Sequence, residues 1–285
     1  MKRPVTFIVL VIVCFAVAVR WRNQQANRLF VELQKHGLLT SKYSDVYPQV
    51  MQTVAENCGF GNHWQINSPP RDDYLHLFVV APGDAPGSFS PDLSKMTATA
   101  SYVGHNSLIC NRDFVTRFIR DNALIRFPDD KNRRDAEWAL LFWIIGHEVG
   151  HALLKHKPAD FAENNFTNLA PVTSFEQEQE IAADSFVAGL LKRDPQHKLA
   201  CEDFLLDLVN LQIRSRTSKI PAGALIYYDY ANQTEVEYFQ QGSHPGFLYR
   251  GVRLLLQLSA NPEDSVLNTE LLKLARLMKP AGPNH

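Results

Sequence analysis

Two histidines lie four residues apart in the most clearly helical stretch of the chain, with a glutamate directly after the first. The string is HEVGH at 147–151, and apolar residues recur at helical spacing across Asp135–Lys157, until Pro158 ends the pattern. At 100° per residue, both imidazoles leave one face of the helix, about 6 Å apart along its axis. This spacing predicts that both rings reach one metal ion, with Glu148 beside it as a proton acceptor.

A catalytic zinc site needs a third protein ligand besides His147 and His151. A second helix is predicted over Phe175–Arg193, where Glu180 and Asp184 are four residues apart and therefore share a face. We expect Glu180 to be the third ligand. Asp184 is then placed to accept a hydrogen bond from the outer nitrogen of a ligand histidine.

Other interpretations of these two segments remain open. Glu176 shares the face of Glu180 one turn earlier and competes for the ligand role, whereas Glu178 points to the opposite face. The second segment is alternatively a solvated acidic helix start, and the first a polar helix face. Because a glutamate and two histidines in an apolar helix need partners when buried, a metal ion is the favoured interpretation.

A third pattern begins at His244, which precedes Pro245 at the start of a predicted helix, Pro245–Leu258. Taken alone, it is an ordinary entry turn with proline at the first helical position. Beside a zinc site, His244 becomes a candidate donor to the oxyanion of a tetrahedral intermediate. Arg250 is then a candidate to hold this helix against a carboxylate of the site.

Residues that favour strands are concentrated in one part of the chain. Tyr74–Val80 is predicted to be a strand, and Ala98–Cys110 a second strand-like segment with a hairpin around Gly104. Helices are predicted before this region, over Tyr43–Cys58, and they predominate after Phe114, the last of them over Ser265–Met278. A small β region followed by helices predicts an α+β fold rather than alternating βαβ units.

Composition excludes several classes of protein. The chain has 285 residues, 45% hydrophobic and 21% charged, which is typical of a globular protein. Its net charge of -1 gives no basic field, so nucleic acid is not an expected partner. The sequence contains no CxxC, Walker or GxGxxG motif. A Cys58–Cys110 disulfide is expected if the compartment is oxidising, and three buried thiols are the alternative.

The N-terminus has the pattern of a targeting or membrane segment. Lys2 and Arg3 precede an apolar run, Val5–Val19, and arginines follow it. Residues 1–22 are therefore predicted to be a cleaved signal peptide or a single transmembrane anchor, with the rest on the periplasmic or extracellular side. The expected division continues with an N-terminal helical region at 23–70, a metal-binding domain at 71–260, and a C-terminal helix and tail at 261–285.

The three patterns together resemble the gluzincin membrane metallopeptidases, which include the CAAX prenyl protease and the HtpX-type quality-control proteases. The matching motifs are HExxHx4H at 147–156, ExxxD at 180–184 and HPx4R at 244–250, and the resemblance covers roughly Tyr74–Leu258. Those families have several membrane helices, whereas this chain has one apolar run. It is therefore nearer to single-anchor or exported members.

This resemblance implies an α+β zincin-like fold, one Zn²⁺ per chain and endopeptidase activity. It implies that Ala98–Cys110 supplies an edge strand for substrate. The roles it implies are His147, His151 and Glu180 as ligands, Glu148 as general base, Asp184 behind a ligand histidine, and His244 as transition-state stabiliser.

The predicted function is hydrolysis of peptide bonds in exported or membrane-associated proteins. Two alternatives stay open. One is a catalytically inactive, membrane-tethered zinc protein that binds or assembles partners on a protease-like fold. The other is a zinc hydrolase that acts on a bond other than a peptide bond.

Overall fold

A computed structural model describes residues 25–87, 90, 93, 94, 97, 99–122, 130–156, 174–205 and 247–258. Three sequence predictions therefore lie outside the described residues: the apolar run Val5–Val19, His244 and the helix Ser265–Met278. None of the described helices is both long enough and apolar enough to cross a membrane. The described residues fall into two compact units, one drawn from residues 1–115 and 155–164, and the other from residues 116–154 and 165–285.

The first unit contains a mixed four-stranded sheet. Its strands are β1 (Trp64–Ile66), β2 (Leu75–Val80), β3 (Ala100–Gly104) and β4 (Ser107–Asn111), in the order β1-β2-β4-β3. β2 runs parallel to β1 and β4, whereas β3 is antiparallel to β4. The predicted strand at 74–80 and the predicted hairpin around Gly104 are confirmed. The short β1 was not predicted.

The sheet core forms because its two central strands are almost continuously apolar. Every residue of β2 and β4 is buried, as expected for strands covered on both faces. Helix α1, residues 25–35, contributes Leu29 and Leu33 to a core cluster with Phe78 and Ile109. A second helix, α2 (Val46–Asn57), buries Val50, among others, in the same unit.

The remaining helices belong mainly to the second unit. They are α3 (Arg112–Asn122), which directly follows β4, then α4 (Asp130–Leu153), α5 (Ser174–Lys192), α6 (residues 195–205) and α7 (Phe247–Leu258). α5 packs against both α4 and α7. The mixed α+β architecture with mostly helices agrees with the predicted class.

One predicted boundary and one predicted bond need correction. The HEVGH helix ends at Leu153 rather than at Lys157, because Lys155 adopts a left-handed conformation with φ of 60°. The predicted Cys58–Cys110 disulfide is wrong, since both residues and Cys201 are thiols in the structure. Cys110 is buried within β4, whereas Cys58 is only half-buried at the end of α2.

Candidate metal centre

Helices α4 and α5 approach each other closely at two glycines of α4. A Cβ atom at Gly150 would lie 3.2 Å from both the Cα and the carbonyl oxygen of Ala183. One at Gly146 would lie 3.3 Å from Cγ2 of Val187. Since Cβ contacts this short would require the neighbouring atoms to shift, glycine at these positions lets the two backbones come together. The HEVGH string is thereby brought against residues 180–187.

The two histidines of this string meet Glu180 from α5. All three side chains are buried. Nε2 of His147 lies 3.0 Å from Nε2 of His151 and 3.0 Å from Oε2 of Glu180. Nε2 of His151 lies 3.3 Å from Oε1 of Glu180. The two imidazoles are nearly perpendicular, with ring centroids 4.7 Å apart.

These separations suit a shared metal ion. Two ligand atoms bound tetrahedrally at the usual zinc distances are about 3.4 Å apart, close to the separations between the imidazole and carboxylate atoms here. Two imidazole nitrogens and one carboxylate oxygen are also a donor set that catalytic zinc sites use. The buried cluster of His147, His151 and Glu180 can therefore hold a metal ion.

Asp184 lies behind His147, on the side away from this cluster. Its Oδ1 is 3.0 Å from Nδ1 of His147. Arg250 on α7 donates to both carboxylate oxygens, from Nε to Oδ2 and from Nη2 to Oδ1, each at 2.8 Å. The carboxylate against which Arg250 was expected to hold its helix is therefore that of Asp184.

The charges around His147 change its affinity for protons. Burial and the Arg250 charge lower its pKa, but Asp184 and Glu180 outweigh both and raise the pKa to about 9. Burial alone would raise the pKa of Asp184, whereas Arg250 and His147 hold it well below its usual range. Asp184 thus remains a carboxylate that accepts a hydrogen bond from Nδ1–H of His147, leaving Nε2 to face the cluster.

The other predicted site residues lie in different surroundings. Glu148 is on α4 beside His147, only 8% exposed, and its charge acts on Arg250. Glu178 is exposed, as expected for the opposite face of α5. The side chain of Glu176 and all of His244 lie outside the described residues.

Sequence reasoning missed one residue of this centre, Trp143. Its indole Nε1 donates to Oδ1 of Asp184 at 3.0 Å. The signal was present in the sequence: Trp143 lies one turn before His147 on a helix predicted to be buried, and a buried indole N–H needs an acceptor.

No protein-family model, curated protein or solved structure matches this chain. The resemblance to gluzincin metallopeptidases therefore stays a prediction from three motifs.

Proposed function

We propose that the protein is a zinc-dependent metalloendopeptidase with a zincin-like fold, related to the gluzincin membrane peptidases. The observation that carries the proposal is the convergence of three buried ligand atoms, from His147, His151 and Glu180, next to Glu148 on the same helix. A structural zinc site ordinarily has four protein ligands, whereas the three that the described residues supply leave one position for water or substrate. The ligand count therefore favours catalysis over a purely structural role.

The residues present suit hydrolysis by an activated water. When bound, Zn²⁺ supplies Lewis acidity to a substrate carbonyl and lowers the pKa of a coordinated water toward neutrality. Glu148 accepts a proton from the attacking water on its carboxylate and delivers it to the leaving amine. His147 keeps its proton on Nδ1 and donates a hydrogen bond from there to Asp184, so that Nε2 remains a ligand. In this proposal, His244 donates to the oxyanion.

The proposed substrates are exported or membrane-associated proteins. The apolar run Val5–Val19 between basic residues supports an extracytoplasmic location, with the chain either secreted or held by a single anchor. A membrane-proximal peptidase meets proteins of that compartment as substrates.

The decisive experiment replaces the proposed base without touching a ligand. Glu148→Gln in the 285-residue chain should retain stoichiometric zinc and lose roughly 10²–10⁴-fold in chelator-sensitive peptide hydrolysis, the range typical of general acid–base catalysis. Glu178→Gln, at an exposed position on α5, is the matched control and should keep full activity.

Two outcomes would contradict the proposal. Undiminished hydrolysis in Glu148→Gln would remove the mechanism. Stoichiometric zinc in the wild-type protein, without chelator-sensitive cleavage of casein or a peptide library, would instead favour the inactive zinc-binding protein.

A further inference from the structure

We propose that Trp143 is a positioning residue of the metal centre, which acts by fixing the Asp184 carboxylate that orients His147. This inference rests on the proposed metal site and adds a residue that the three motifs do not include. Trp143 is only 4% exposed, and its role follows from what its ring face and its N–H contact.

The first step is the convergence of two donors from one helix. Trp143 and His147 lie four residues apart on α4 and therefore on the same face. The indole Nε1 and the imidazole Nδ1 both lie 3.0 Å from the same atom, Oδ1 of Asp184. One oxygen on α5 is thus bound by two consecutive turns of α4, which fixes its position along that helix.

The second step concerns the countercharge. Cζ of Arg250 lies 5.5 Å from the centroid of the Trp143 ring, within range of a cation–π contact. The same guanidinium donates to both oxygens of Asp184. The indole therefore contacts the carboxylate through its N–H and the cation through its face, so it supports the ion pair from both partners.

The third step links this support to metal binding. Partners of a ligand imidazole fix its ring orientation and raise its basicity, and their loss typically weakens metal binding by about 10–100-fold. Without the indole donor, Arg250 and His147 would be the remaining partners of Oδ1 among the described residues. The carboxylate would then be less fixed, and so would the ring of His147.

A second tryptophan on α4 provides the matched control. Trp138 is 8% exposed and stacks on His197 and Phe142, with ring centroids 4.1 and 4.8 Å apart. These are packing contacts. Trp138→Phe and Trp143→Phe remove the same atoms from the same buried helix, but only the second removes a donor to Asp184.

The experiment measures metal binding and not only activity. Both variants are made in the 285-residue chain, zinc affinity is determined by chelator competition, and visible absorption is recorded for the Co²⁺-substituted proteins. We expect Trp143→Phe to weaken zinc binding by about 10-fold and to shift the Co²⁺ bands. Trp138→Phe should lower the melting temperature while leaving affinity and spectrum unchanged.

A double-mutant cycle tests whether the effect passes through the carboxylate. In an Asp184→Asn background, Trp143→Phe should cause little further loss of zinc affinity, because the acceptor it positions is already altered. If Trp143→Phe does not fold, NMR of the wild-type protein provides the test. The ¹⁵N indole signal of Trp143, assigned by replacing the other three tryptophans singly, should shift on addition of Zn²⁺.

Four results would overturn the proposal. They are unchanged zinc affinity and Co²⁺ spectrum in Trp143→Phe, an equal affinity loss in Trp138→Phe, affinity losses that are fully additive with Asp184→Asn, or a Trp143 indole signal that does not shift on addition of Zn²⁺. A wild-type protein that binds zinc but cleaves nothing would refute the proposed function alone, because the affinity measurements still decide the role of Trp143. A wild-type protein that binds no metal would refute both.

Discussion

Two histidines in this molecule have almost no solvent-exposed surface, but their pKa values are shifted in opposite directions. His76 on β2 is 0% exposed, and His147 on α4 is 2% exposed. The pKa of His76 is lowered from 6.5, chiefly by burial. The pKa of His147 is raised to about 9, because carboxylates outweigh its burial and the Arg250 charge. Burial alone therefore does not decide whether the pKa of a histidine is raised or lowered.

Their hydrogen-bond partners explain the contrast. Nε2 of His76 meets the backbone of Arg71, 2.8 Å from its nitrogen and 3.1 Å from its oxygen. Nδ1 of His76 has no hydrogen-bond partner among the described residues. His147 instead has a carboxylate at each ring nitrogen, Asp184 at Nδ1 and Glu180 at Nε2. Only the second environment favours a cation.

Of the two histidines compared here, removing His147 should have the largest effect. His147→Ala should weaken zinc binding by roughly 3–5 kcal/mol, on the order of a thousandfold, if binding energy is shared among the ligands. His76→Ala should leave zinc affinity unchanged. Chelator competition measures both, and comparable loss in His76→Ala would break the contrast.

Removing the countercharge should be almost as costly. Arg250→Met leaves the buried Asp184 carboxylate without its bidentate partner, which typically costs about 3–5 kcal/mol. Urea unfolding of the metal-free protein measures this cost. Arg253→Met, at a half-buried position on the same helix, is the control, and an equal loss there would show that the Asp184 pair has no special weight.

A smaller effect is expected from separating the two helices. Gly150→Ala forces a Cβ against the Ala183 backbone and should lower the free energy of unfolding by about 1–3 kcal/mol, with weaker zinc binding. Gly189→Ala on α5 is the control, since its Cβ meets nothing within 4 Å. That control should raise stability by up to about 1 kcal/mol, because alanine favours helix. Equal effects of both substitutions would contradict the close approach.

The smallest effect is the contribution of His76 to acid sensitivity. Because its folded pKa is below 6.5, the unfolded chain binds more protons, and the free energy of unfolding should fall as the pH drops below about 6.5. His76→Gln should flatten this part of the profile. Denaturant unfolding across pH 5–8 checks it, and an unchanged slope in the variant would show that His76 does not contribute.

The sequence predicted the parts of the molecule in which local pattern and chemistry coincide. The run at 74–80 is apolar and rich in strand formers, and it forms β2. The spacing of His147 with His151, and of Glu180 with Asp184, predicted two faces that the structure brings together. In each case the period of the helix or strand determined the answer.

Features that depend on tertiary contacts were beyond sequence reasoning. β1 has only three residues, and its parallel pairing with β2 leaves no local signal. The early end of α4 follows from the left-handed backbone of Lys155. This residue lies three positions before Pro158, which was predicted to end the helix. Trp143 was overlooked because its acceptor, Asp184, is 41 residues away in the chain.

The ionisable groups buried around His147 also bear on the valence of the ion. Glu148, Glu180 and Asp184 carry three formal negative charges, and Arg250 carries one positive charge. When the two histidines act as metal ligands they are neutral, so the formal total of these groups is two negative charges. A divalent cation would balance the formal charge of these described groups, whereas a monovalent ion would leave a net charge in a medium that solvates it poorly.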